Sequence, residues 1–251
     1  MTAEALLFLD ECARHGVDPA AADDGFVLAC KDEAPRTRHL NVIVPVSFAC
    51  VGDAVIASAY PSVRSALLPH FEKYCSPDAL FSEDSFSDLD RVLRPYLSAW
   101  GYKPAMFPSR YGISLLQDDA SHLDASSILD GTVRMTEDLC GMKNHTSMRC
   151  ADCILRGAYA HTVRDEIAAA ASVNRVSGVG HCVEIGVECA PEYRRRGYAR
   201  SCVCALTREL CGAGKVVLYR HYHTNQGSAA VAKSVGFRPA GRFFSYTSFA
   251  I

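Results

Sequence analysis

Long hydrophobic runs are missing from this 251-residue chain. No segment approaches the roughly 18 uninterrupted apolar residues of a membrane helix. The opening residues, MTAEALLFLDECARHG, are apolar only from Ala5 to Leu9, with acidic residues on both sides. A secretion signal carries basic residues first and a longer apolar stretch, so a helix is expected here and not a leader. An excess of charge of one sign is missing too. Lys and Arg number 26 against 28 Asp and Glu, a formal net charge of −2. That balance gives no electrostatic case for nucleic acid or for an anionic membrane. A second CxxC is also missing. Zinc asks for four ligands in a tetrahedron, which Cys140, His145, Cys150 and Cys153 would have to supply with one CxxC between them. Because Cys153 leads into the apolar run Cys153-Ile154-Leu155, no metal is expected. A zinc-stabilised adaptor is the alternative this cluster leaves open.

What is present is the composition of an ordinary soluble globular protein, 22% charged and 49% hydrophobic, long enough to bury a sizeable core. Twelve cysteines do not indicate a disulfide framework, since many sit in apolar runs (Cys30, Cys50, Cys182, Cys189, Cys202, Cys204). There a thiol serves as a small buried hydrophobe in a reducing compartment, and a cytoplasmic protein is expected.

The periodicity predicts a helix over Thr2–His15 and strands over Gly25–Cys30, Leu40–Val51 (broken at Pro45) and Asp53–Ala59. Helices are expected from Pro61 through Ser62–Tyr74 and over Asp88–Trp100, the second closed by Gly101. Tyr102–Leu116 reads as extended, with Pro104 and Pro108 limiting any helix. Nothing in residues 1–125 carries an identifiable catalytic arrangement. The polar stretch Ser121–Arg149 is the best place for a boundary, giving residues 1–125 and 126–251. Beyond it, Ile154–Val163 and Glu166–Asn174 read as a strand pair turning at Arg164-Asp165. Gly178 and Gly180 lead into a strand over Val183–Cys189, and Tyr193–Cys211 reads as a helix. Lys215–Arg220 is a strand, Gln226–Val235 a short helix, and Phe243–Ile251 a final strand. Strands before and after a crossover helix give a β-α-β unit in a mixed sheet, an α/β fold of α+β mixed-sheet type.

The most informative stretch is Arg194-Arg195-Arg196-Gly197-Tyr198-Ala199, between that strand and that helix. A helix entered through such a turn presents unpaired N–H groups and the positive end of its dipole at one point, a ready phosphate site. Gly197 lets the backbone close on an anion and Ala199 keeps the next turn small. The hexamer follows the Arg/Gln-x-x-Gly-x-Gly/Ala pattern. With Asn225-x-x-Ser228 and Gly236-Phe237 after it, the region of about residues 150–250 resembles the GNAT superfamily of N-acetyltransferases. A solvated basic helix start is the plainer alternative. The two-part layout and the Asn-x-x-Ser-x-x-x-Ala-x-x-x-Gly-Phe ending also resemble GNAT proteins related to zwittermicin A resistance acetyltransferases.

The resemblance implies a C-terminal GNAT-like domain, with a central mixed sheet and flanking helices, preceded by a smaller α/β domain. That first part is either a decayed GNAT-like unit or a cap over the acceptor site. It implies acetyl-CoA as co-substrate, an amine acceptor as partner, and compatibility with a homodimer. The backbone of Arg195 to Ala199 and the side chains of Arg194, Arg195 and Arg196 would hold the pyrophosphate, with Tyr198 in the same turn. Val187, Glu188 and Cys189 would pair with the pantetheine arm. Asn225, with Ser228 beside it, would lie near that arm or the acetyl group, or would simply cap the helix at Gln226.

Acyl transfer to an amine needs a base for the amine proton. The resemblance places a frequent base at the start of this strand, where Glu184 stands. Glu188, four residues on and on the same strand face, would share one acidic pocket with it and is the second choice; a solvated face or ion pairs with the arginines is the alternative. His181, His221 and His223 are other candidates. Where many of the family have a Tyr to protonate the departing thiolate, this chain has Ala232; Tyr222 and Tyr246 are weighed as substitutes. A covalent route through Cys189 ranks below direct attack in a ternary complex. The rival from another class is a GNAT-like sensor that holds acyl-CoA and transfers nothing.

Overall fold

The computed structural model describes the chain apart from residues 23–24, 32–41, 104–110, 124, 178–180 and 251. Pro104, Pro108, Gly178, Gly180, Leu40 and Ile251, used in the expectations above, lie outside the described residues. The chain divides into two compact units. One comprises Leu7–Ile113, Tyr222–Thr224 and Ala240–Ile251; the other comprises Met1–Leu6, Ser114–His221 and Asn225–Pro239. The division is therefore not a single cut after residue 125. It falls at Ser114, and the C-terminal strand returns to the first unit, where Gly241–Ser245 pair antiparallel with Ser47–Val51.

In the first unit, Phe26–Cys30 runs parallel to Ala54–Ala59, which pairs antiparallel with Val46–Val51. Ser248–Ala250, separate from the longer strand Arg238–Ser245, joins Val42–Ile43 and Tyr102–Lys103 in a small sheet. The helix Pro61–Lys73 starts at its proline, as expected. The helix Glu83–Trp100 starts five residues ahead of Asp88, because Ser82 accepts a hydrogen bond from the Ser85 N–H and Glu83 and Asp84 suit the dipole of the first turn. Gly101, at φ 79°, ends it in the left-handed conformation that glycine takes without strain. Phe48 is central to the core, with the rings of Phe71, Phe81 and Phe244 at 5.8, 5.3 and 5.0 Å. Leu89, Leu93 and Leu97 are fully buried in the same cluster.

A buried histidine in this unit links its stability to pH. His70 lies under the rings of Phe71 and Tyr74 and meets Ser85 Oγ through Nε2 at 3.3 Å. Burial pushes its pKa down to about 4; Asp88 opposes the shift and Lys73 adds to it. The unfolded chain takes up this proton near pH 6.5 and the folded chain only near 4. Between those values the unfolded state binds more protons, so stability falls as pH falls, by on the order of 3 kcal/mol across the window. The melting temperature should therefore drop between pH 6.5 and 4.5, and drop less in His70→Gln. Parallel pH profiles for the two proteins would remove His70 as the cause.

The second unit is built on a mixed sheet. From Gly112–Gln117 the order runs through Val216–Tyr222, Cys182–Cys189, Glu166–Val176 and Ala158–Val163 to Thr132–Arg134. Cys182–Cys189 and Val216–Tyr222 are parallel, joined by the crossover helix Tyr198–Gly212. Glu166–Val176 runs antiparallel to both Cys182–Cys189 and Ala158–Val163, and Ala158–Val163 runs antiparallel to Thr132–Arg134. Arg164 and Asp165 turn the central hairpin with φ of 51° and 62°. Three local expectations change. Ile154 and Leu155 lie in a helix, Cys150–Arg156, and the strand begins only at Ala158, after Gly157 at φ 92°. Pro191–Tyr193 forms a 3₁₀ turn ahead of the main helix, which starts at Tyr198. Thr132–Arg134, inside the polar stretch read as a boundary, pairs with the Ala158–Val163 strand.

Candidate functional site

The site begins where two strands part. Cys182–Cys189 and Val216–Tyr222 hold parallel register from Cys182↔Val216 to Ile185↔Tyr219, and their pairing stops there. Gly186 to Cys189 remain paired on their other side, to Ser172 through Ala169. Among the described residues their remaining edge has no strand partner for its main-chain donors and acceptors. A cleft of about 750 Å³ opens at the gap, within this unit. Val187, Glu188 and Cys189 line it from one strand, Tyr219 from the other, and Asn225, Ser228 and Val231 from the following segment. The arginine turn lines it beyond the end of the strand, through Arg194, Arg195, Gly197, Tyr198, Ala199 and Arg200.

The turn holds an unusual backbone. Arg195 has φ 62°, and Gly197, the residue that caps the helix, has φ 85° and ψ −3°. A Cβ at 197 would meet Leu129 Cδ1 only at ordinary contact, 3.5 Å. Conformation, more than space, is what asks for glycine here. Among the described residues no side chain caps this helix end. Its main-chain bonding starts with the Ser201 N–H on the Gly197 carbonyl at 2.9 Å, so the amides of the first turn keep the donor capacity that suits an anion. The turn is held from beneath. Ser201 Oγ accepts from the Leu129 N–H (2.8 Å) and meets Thr132 Oγ1 (2.7 Å), which in turn meets His161 Nδ1 (2.8 Å). The His161 ring stacks on Tyr198 at 3.9 Å, and burial lowers its pKa, favouring the neutral ring.

The three arginines divide. Arg194 Nε donates to the Cys189 carbonyl at 3.2 Å, beside the cleft. Arg196 does not line it: its guanidinium lies over the Tyr193 ring and donates to the Glu192 carbonyl. Arg200 lines the cleft from the first turn of the helix. The motif did not point to Arg200, although its place three residues after Gly197 was a readable signal.

Asn225 Oδ1 accepts from the Ser228 N–H at 3.0 Å, the geometry of a helix cap, and Asn225 also lines the cleft. Ser228 Oγ meets the Tyr219 hydroxyl at 2.7 Å. Ala232 is fully buried and is not among the lining residues. Tyr222 and Tyr246 belong to the other unit, where the Tyr246 hydroxyl donates to Asp90.

Glu184 and Glu188 share a strand face with Gly186 between them, and the Asn174 side chain stands over that glycine. A Cβ on Gly186 would come within 2.4 Å of Asn174 Nδ2. Only Glu188 lines the cleft, where its Oε2 accepts from both the N–H (2.9 Å) and the hydroxyl (2.5 Å) of Ser147. Glu184 instead faces Arg175, with Nε at 3.7 Å. Cys189 lines the cleft, and burial pushes its thiol pKa up, against a thiolate. His181 and His221 are not among the lining residues, and His223, in the other unit, stacks on Tyr111 at 4.2 Å. His145 is held between Glu166 (2.7 Å) and Glu192 (3.1 Å). Among the described residues no group of three or more His, Cys, Asp or Glu side chains is arranged to hold a metal. No helix among them is long and apolar enough to cross a membrane.

Residues 132–238 match the model of a family described as an acetyltransferase (GNAT) domain. Among solved structures, a GNAT-family protein from Novosphingobium aromaticivorans is 19% identical, covering 60% of this chain and 68% of its own, with a TM-score of 0.46. A GNAT-family acetyltransferase from Colwellia psychrerythraea is 13% identical over 82% of this chain and 81% of its own, with a TM-score of 0.45. A GCN5-related N-acetyltransferase from Sphaerobacter thermophilus is 11% identical over 98% of this chain and 90% of its own, at 0.41. No curated protein matches the sequence.

Proposed function

We propose that this chain, whose residues 132–238 match the GNAT acetyltransferase domain model, is an acetyl-CoA-dependent N-acetyltransferase that acts on a primary amine. The domain supports acyltransferase chemistry in general; the donor, the acceptor and the residue roles are our reading. The observation that carries it is the cleft between the parted strands, which has an open strand edge along one wall and an uncapped helix N-terminus beside it. These suit the two parts of coenzyme A. Amides of the Arg195–Ala199 turn, with Arg194 and Arg200, would take the pyrophosphate, and the edge of Val187–Cys189 would take the amide-bearing arm. Nothing in this donor set asks for a metal.

In this reading the amine attacks the thioester directly. A nitrogen–carbon bond forms, the carbon–sulfur bond breaks, and the amine proton passes to a base. Glu188 is the better placed of the two candidate carboxylates, because it lines the cleft while Glu184 is turned to Arg175. Release of free thiol from acetyl-CoA, measured over a panel of primary amines, tests the reading. Turnover with an amine supports it. Tight coenzyme A binding with no turnover on any amine would overturn it in favour of an acyl-CoA sensor.

A further inference from the structure

The departing thiolate needs a proton, and the buried Ala232 cannot give one. We propose that the hydroxyl pair of Tyr219 and Ser228 supplies it, with Tyr219 as the donor and Ser228 as its positioning partner. The inference rests on the acyl-CoA reading above and assigns a residue that reading leaves open.

Tyr219 stands at the last pair before the strands part, opposite Ile185, and lines the cleft. An arm entering from the arginine turn and following the open edge backwards from Cys189 reaches this point after four residues, about 13 Å at strand spacing. Its reacting end would then lie where Tyr219 faces the gap. The Tyr219 side chain is 1% exposed, and its hydroxyl has Ser228 Oγ at 2.7 Å. Ser228 is itself fixed by the Asn225 cap on its N–H. Of the other tyrosines lining the cleft, Tyr193 donates its hydroxyl to Glu166 at 3.2 Å, and Tyr198 stands in the arginine turn, at the other end of the open edge from Tyr219. Burial raises the Tyr219 pKa, with Ser228 partly opposing, so the phenol keeps its proton at neutral pH. In the step, the carbon–sulfur bond breaks, sulfur takes the Tyr219 proton, and the phenolate regains one from the Ser228 hydroxyl, which is only partly buried and is resupplied from water.

Tyr219→Phe keeps the ring that packs, and Ser228→Ala tests the partner without altering the buried ring. Affinities for coenzyme A and for desulfo-coenzyme A, which lacks the sulfur, give a readout apart from turnover. The wild type should prefer coenzyme A by roughly three- to tenfold, as a net hydrogen bond to the neutral sulfur would give. In Tyr219→Phe the preference should vanish, with desulfo-coenzyme A binding unchanged. Thiol release should fall by about 100-fold in kcat, the low end of general acid catalysis, with KM for acetyl-CoA held within about twofold. Ser228→Ala should move both quantities in the same direction by less. Equal affinity of the wild type for the two ligands, or a Tyr219→Phe protein that keeps preference and kcat, would overturn the assignment while leaving the acyl-CoA reading standing. Binding of neither ligand by the wild type would overturn both.

Discussion

Gly197→Val should cost the protein about 100-fold or more in coenzyme A affinity while leaving the fold intact. At φ 85° a β-branched residue is strained, by about 1–2 kcal/mol for the left-handed conformation. The backbone is then expected to rotate toward negative φ, which swings the amides of the helix entry off their common point. A net 1.5–3 kcal/mol for each hydrogen bond to a charged group means that losing two aligned donors suffices for the predicted loss. The clash term is small, since Leu129 Cδ1 lies at ordinary contact distance from the position a Cβ would take. Melting should accordingly shift only by a few degrees. Arg194→Ala and Arg200→Ala remove charge without moving the amides, so each should cost less, and the cost should shrink as salt is raised. Calorimetric titration measures all three. A Gly197→Val protein with unchanged affinity would sink the idea that this turn holds phosphate.

Glu188→Gln should lower kcat by roughly 100- to 10,000-fold, the range for loss of a general base, whereas Glu184→Gln should change it by no more than a few-fold. The glutamine still accepts hydrogen bonds through its carbonyl oxygen, so the contact with Ser147 can survive and the loop around it should stay in place. What is lost is the ability to take a proton. The acetyl-CoA KM should therefore hold while kcat falls. The contrast between the glutamates comes from their neighbours: Glu188 lines the cleft, and Glu184 has the Arg175 guanidinium at 3.7 Å. A reversed ranking, with Glu184→Gln losing turnover and Glu188→Gln keeping it, would transfer the base to Glu184.

Much of this was legible in the order of residues, and the reasons differ from place to place. Gly101 and Gly197 announced a helix end and a helix entry because the left-handed conformation is a property of one residue and its neighbours. Pro61 marked the start of its helix for the same local reason. Helix beginnings were harder. Ser82 recruits the Ser85 amide and adds a turn and more ahead of the apolar stripe that marks the helix, and Pro191–Tyr193 takes its own turn before the arginines. The short strand Thr132–Arg134 carries almost no pattern and exists through its partner strand, so composition read it as linker.

By itself the sequence determined that a strand, a glycine-bearing basic turn and a helix follow one another, the arrangement on which the proposed anion site rests. These are consequences of contacts a few residues long. Tertiary structure alone decided which length of the Cys182–Cys189 strand is left unpaired, which glutamate enters the cleft, and that Arg200 lines it while Arg196 does not. It also set Tyr219 against Ser228, and returned Gly241–Ser245 to the sheet of the first unit. Each of these depends on the register between strands, or on packing between side chains, that folding brings together. Alternation along one strand tells which residues share a face; only the partner strand tells where pairing ends and a cleft begins.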